Sequence, residues 1–164
     1  RAKRSEPTSL YQCARYRSVN TKQRGDETEA RILTELVARG YSVSVPFGDN
    51  DPYDLVVDID GGLYRVQCKT GWVEDDCIRF KTASKTTRDG RVSHVGYDGR
   101  IDAFSVYCPD IDSVYWMPVG DAGKRNTYLR IEEAKIDHPS INFVEEYTLS
   151  SQLSKIGDES SSDS

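Results

Sequence analysis

An α+β fold is predicted, with an N-terminal helix packed on a central mixed sheet, from three observations. From about Gly25 or Asp26 to Arg39 the apolar residues return every three to four positions, so that Ile32, Leu33, Leu36 and Val37 form one stripe. The segments that follow are short, alternating or continuously apolar, and separated by Gly, Asp and Pro clusters, which is strand patterning. At 164 residues the chain is long enough for one core of ordinary size and too short for two.

Residues 1–20 carry Arg1, Lys3, Arg4, Arg15 and Arg17 with Tyr11 and Tyr16 and no sustained periodicity. They read as a basic arm or, equally, as a disordered terminus. In the helix, Asp26, Glu27 and Glu29 are expected in the first turn, where the macrodipole favours acids, and Gly40 stops it. Glu29 stands three and four residues before Ile32 and Leu33 and so continues the inner stripe, whereas Glu27 and Arg31 fall on the wet side. A first strand is expected over 41–47, followed by the turn cluster 48–52. Asp54 then precedes the apolar run 55–57, and Asp60-Gly61-Gly62 turns the chain into the alternating run 63–69. Alternation sets Leu63, Arg65, Gln67 and Lys69 on one face and Tyr64, Val66 and Cys68 on the other. A further strand over 78–82 is expected, then a long polar loop over 84–100, a second hairpin from 103–108 and 114–119, a short strand over 127–131 and a short helix over 141–149. The Ser- and acid-rich residues 150–164 read as a disordered tail, which leaves 21–149 as the folded domain.

The formal charge of −5 argues against coating nucleic acid by bulk charge, yet it is unevenly spread. Lys and Arg outnumber Asp and Glu eight to four over 1–31 and eight to five over 63–100, and are outnumbered five to twelve from Ile101 onward. That is a basic front on an acidic back, suited to a DNA enzyme, although solvated charged faces give the same tally. The cysteines at 13, 68, 77 and 108 form neither a CxxC pair nor a regular disulfide framework, which speaks against zinc and for a reducing cytoplasm. No apolar run reaches the roughly 18 residues of a membrane span. A soluble cytoplasmic protein is expected.

The chemistry is concentrated in 54–69. Phosphodiester hydrolysis needs a divalent cation that polarises the phosphate and activates water, with a protonated group near the reacting oxygens. Hard oxygen ligands suit Mg²⁺, with Mn²⁺ as a substitute. Asp54 offers a carboxylate, Gln67 a neutral side-chain oxygen and Cys68 its backbone carbonyl. Lys69 is placed to position or help deprotonate the nucleophilic water and to stabilise developing negative charge. Glu29, arriving from the helix, completes the set by holding a metal-bound water or a second ion. The bland alternative is a solvated surface pair, but polar groups set among apolar strands cost free energy unless something binds them.

With this order of residues the chain resembles the PD-(D/E)XK nuclease superfamily, the restriction-endonuclease-like fold, from about Asn20 to Tyr147. The family order is an acid in the first helix, an acid at the hairpin and acid-x-lysine on the next strand; the matching positions here are Glu29, Asp54, Gln67 and Lys69. Tyr53 stands where a proline is usual and Gln67 where Asp or Glu is usual, which removes one negative charge from the metal site. The Gln-x-Lys version is similar to that of the group I intron homing endonuclease branch, as are the Gly25-Asp26 to Glu29 segment, Pro46-Phe47-Gly48-Asp49, Val66-Gln67-Cys68-Lys69-Thr70, Ile101-Asp102-Ala103-Phe104 and Val114-Tyr115 to Pro118.

The resemblance implies a metal-dependent DNA endonuclease of homing or junction-resolvase type, working as a homodimer or higher oligomer because two strands must be cut. DNA contact is expected from Lys81, Lys85, Arg88, Arg91 and Arg100 with the N-terminal arm, through phosphate charge more than base readout. Competing readings are a catalytically weakened relative that binds DNA without cutting it, for which Gln67 is the reason, and an acidic interaction protein with no nucleic-acid role.

Overall fold

A computed structural model describes residues 20–48, 50–88, 91–132 and 141–161. Helix α1 (Thr21–Ala38) starts about four residues before the expected point, because the Asn20 side chain accepts from the Gln23 backbone N–H at 2.8 Å and caps it. Asn20 and Gln23 have the spacing of a capping box. The correction moves Asp26, Glu27 and Glu29 out of the first turn, so a dipole-capping role no longer accounts for Glu29.

The strands are β1 (Ser42–Ser44), β2 (Leu55–Ile59), β3 (Gly62–Thr70), β4 (Trp72–Glu74), β5 (Cys77–Lys81), β6 (Ser84–Arg88), β7 (Arg91–Val95), β8 (Ala103–Cys108), β9 (Ser113–Pro118) and β10 (Asn126–Arg130); helix α2 (Leu149–Ser161) closes the chain. The main sheet has the order β1-β2-β3-β8-β9, antiparallel except for β3 with β8, and is therefore mixed as expected. Strands β2 and β3 turn through Asp60 and Gly61 at φ 50° and 86°, the left-handed pair that a two-residue hairpin demands and that Asp-Gly supplies at least cost. Gly71 then lets the chain leave the sheet: a Cβ there would come within 3.0 Å of Ile78 and Val106. Beyond it β4 and β5 join β10 in a second sheet of order β10-β5-β4.

Two apolar layers follow from the alternation. On one face of the main sheet Leu55, Val57, Ile59, Val66, Cys68, Ala103 and Trp116 pack against Ile32 and Leu36 of α1 and Leu149 and Leu153 of α2. On the other, Phe104, Val106, Tyr115 and Met117 pack against Ile78, Phe80 and Leu129 of the second sheet. That second layer lies over β8 and β9. On the same side of β3, Leu63 is exposed and Arg65, Gln67 and Lys69 are only half-buried.

Three expectations fail. The polar loop over 84–100 instead holds the antiparallel hairpin β6–β7, with Lys85 opposite His94 and Arg88 opposite Arg91; Thr86, Thr87, Val92 and Val95 supply β-branched strand formers, and Asp89-Gly90 between them is a two-residue turn signal. Nor does the chain become disordered at 150. The Thr148 hydroxyl caps α2 by accepting from the Ser151 N–H at 3.1 Å, and Leu149, Leu153 and Ile156 make a stripe that needs only the sheet to cover it. In place of a helix over 141–149 there is a 3₁₀ turn, Val144–Tyr147. The N-terminal arm, before Asn20, lies outside the described residues.

Candidate active site

Asp54 stands one residue before β2, and the Leu55–Val66 pairing puts it opposite Gln67. Its backbone N–H still bonds the Val66 carbonyl at 2.9 Å. Its carboxylate then takes over from the backbone, accepting the Cys68 N–H at 2.7 Å and a hydrogen bond from the Gln67 side-chain amide. The same amide nitrogen lies 3.4 Å from the Cys68 carbonyl oxygen. Thus the three expected donors, Asp54, Gln67 and the Cys68 carbonyl, do converge, and a partially positive NH₂ group sits between the two oxygens. Rotating the amide by half a turn would present Oε1 instead.

Glu29 reaches this place from α1. The helix is pinned beside the site by the Thr28 hydroxyl, 3 % exposed, 2.7 Å from the Thr70 hydroxyl at the end of β3. Burial raises the Glu29 pKa above its ordinary value, and the nearby Asp54 and Asp26 charges add to it. Asp54 is also raised, chiefly by burial, against the Cys68 N–H and the Lys69 charge, which lower it. Two carboxylates held uncomfortably as anions, close to each other, are poised to gain from a cation. Burial, with both carboxylates close by, pushes the Cys68 thiol well above its usual range, so this cysteine stays a neutral apolar residue and has only its carbonyl to offer. Among the described residues no three or more His, Cys, Asp or Glu side chains assemble as a metal cage. The groups that could hold a cation are two carboxylates, the Cys68 carbonyl and, once rotated, the Gln67 amide oxygen, a set of hard oxygens and not the thiolate and imidazole set that zinc favours.

Lys69 shares the face of Gln67, as alternation predicts. Its Nζ donates to the Tyr97 hydroxyl at 3.0 Å. Tyr97 lies two residues beyond β7, and no spacing rule in the sequence ties it to a lysine of β3.

Of the residues expected to meet DNA, Lys81 and Arg100 are exposed, and Lys85, Arg88 and Arg91 lie on the β6–β7 hairpin, whose side chains at those positions are outside the described set. Beside them is a cleft of about 500 Å³ lined by Thr82, Tyr97, Phe104, Lys124 and Arg125, among others. Lys124 and Arg125 carry no local signal in the sequence for this position. They sit in an acidic half of the sequence, and only the pairing of Asn126 with Lys81 brings them to the basic side.

A mixed sheet that opens Asp54, Gln67 and Lys69 at the mouth of a hairpin, with an acid on the helix behind it, is the architecture of a restriction-endonuclease-like nuclease domain. Residues 19–150 match the family model of PD-(D/E)XK endonucleases, and the chain belongs to that family. Among solved structures its fold is similar to that of a bacterial homing endonuclease, I-Ssp6803I, with a TM-score of 0.70 at 23 % identity over 88 % of this chain and 97 % of that one. No curated protein matches the sequence. Among the described residues no helix is long and apolar enough to cross a membrane.

Proposed function

We propose that the protein is a Mg²⁺-dependent DNA endonuclease of homing or junction-resolvase type, acting as a homodimer or higher oligomer. The observation that carries this reading is the convergence of Asp54, Gln67 and the Cys68 carbonyl beside Lys69. A bound divalent cation would polarise the scissile phosphate and lower the pKa of the attacking water. Asp54, the rotated Gln67 amide and the Cys68 carbonyl would hold it, and Glu29 would hold a second ion or a water. Lys69 supplies a positive charge on the open side of β3, where it stabilises the charge developing on the phosphate oxygens. The duplex approaches over Lys81, Arg100, the β6–β7 hairpin with Lys85, Arg88 and Arg91, and the Lys124–Arg125 rim, all phosphate contacts whose strength falls with salt.

Supercoiled plasmid and branched DNA incubated with Mg²⁺ should be nicked or cut, and Lys69→Ala should abolish the cutting. Salt-sensitive DNA binding with no cleavage of any of these substrates and no Mg²⁺-linked heat would instead favour the non-cleaving DNA binder.

A further inference from the structure

We propose, resting on the nuclease reading above, that Tyr97 is a positioning residue for Lys69. A lysine ammonium ends a flexible stem and keeps its place only if something holds it. Among the described residues no carboxylate forms an ion pair with the Lys69 Nζ. The holding group is the Tyr97 phenol. The Nζ is 3.0 Å from its oxygen and 4.9 Å from the ring centroid, so the contact is a hydrogen bond to the hydroxyl and not a cation over the ring face.

The tyrosine is itself fixed. It is 7 % exposed, stands edge-on to Phe104 at 5.3 Å and 85°, and its carbonyl accepts the Arg100 and Ile101 N–H groups at 2.9 and 3.3 Å. Phe104 in turn pairs with Gln67 in the parallel register of β3 and β8. The amide end and the lysine end of the site are therefore tied to one another through two rings. Tyr97 also follows β7 by two positions and walls the basic cleft, which sets the lysine's anchor between the proposed DNA-contacting surface and the carboxylates.

The test compares wild type, Tyr97→Phe and Lys69→Ala in Mg²⁺-driven cleavage, with DNA affinity measured separately without metal. Tyr97→Phe keeps the ring and its edge contact; kcat should fall about tenfold while KM and DNA affinity stay within about twofold. A Tyr97→Phe enzyme that cuts at the wild-type rate beside an inactive Lys69→Ala overturns the proposal and leaves the nuclease reading standing, whereas a wild type that cuts nothing fails the nuclease reading. Side-chain nitrogen NMR of the wild-type protein decides the placement independently of activity and of how the variant folds. The Lys69 ammonium protons should exchange more slowly than those of exposed Lys81 and Lys124; equal exchange overturns the proposal.

Discussion

Two aspartates flank β3 in nearly the same way and come to opposite states. Asp102 accepts the Arg65 backbone N–H at 2.7 Å, and Asp54 accepts the Cys68 N–H at 2.7 Å. Asp102 then receives the Arg65 guanidinium on both oxygens, Nε at 3.1 Å and Nη2 at 3.0 Å, and its pKa is lowered by that hydrogen-bonded pair. Asp54 receives only a neutral amide, and burial raises it. One acid has its cation built into the chain. The other, in the reading proposed above, takes its cation from outside, and that difference would separate a fastening from a binding site.

The sharpest way to break the comparison is to neutralise both acids. Asp54→Asn should reduce cleavage by about 10³-fold or more while the metal-free melting temperature holds or rises, because an anion that burial disfavours is gone. Asp102→Asn should leave Mg²⁺ binding intact and cost about 1 kcal/mol after allowing for a third-exposed side chain, seen as a drop of about 3 °C in melting temperature. Identical behaviour of the two variants would erase the distinction.

A smaller effect sharpens it. Gln67→Glu restores the missing charge and should tighten Mg²⁺ binding about tenfold by calorimetry, while lowering metal-free stability through repulsion from Asp54 and Glu29. Weaker Mg²⁺ binding in this variant would remove Gln67 from the ligand set.

The smallest is the pH response, in which the two acids carry opposite signs. Asp102, held below its ordinary 3.8, contributes stability that is present above that value and lost as pH falls through its lower folded pKa. Asp54, held above 3.8, contributes stability by protonation that is present below 3.8 and lost as pH rises through its raised folded pKa. Mg²⁺ affinity, which needs Asp54 and Glu29 as anions, should therefore decline on acidification while still above the ordinary carboxylate range of about 4. Titrating Mg²⁺ binding and thermal melting across pH 3 to 7, roughly the carboxylate window, measures both.

Much of the candidate site's geometry was legible because its parts obey local rules. Strand alternation put Gln67 and Lys69 on one side and left Cys68 its carbonyl alone, and helix phase turned Glu29 inward. What escaped depended on residues far apart in sequence. Lys124 and Arg125 join the basic cleft only through the β5–β10 pairing, and Tyr97 meets Lys69 only because β8 lies beside β3. The misread ends have a different cause: a single polar cap, Asn20 or Thr148, moved each helix start, and in the C-terminal tail three apolar residues on one stripe outweighed a composition dominated by serine and acid.

The parallel pairing of β3 with β8 has a consequence in time. Asp54, Gln67 and Lys69 are all made early, on a hairpin that closes locally, but their flanking strand and the lysine's phenol partner come only with residues 97–108. A chain emerging from the ribosome therefore holds every polar group of the hairpin before it holds the strand and the phenol that frame them.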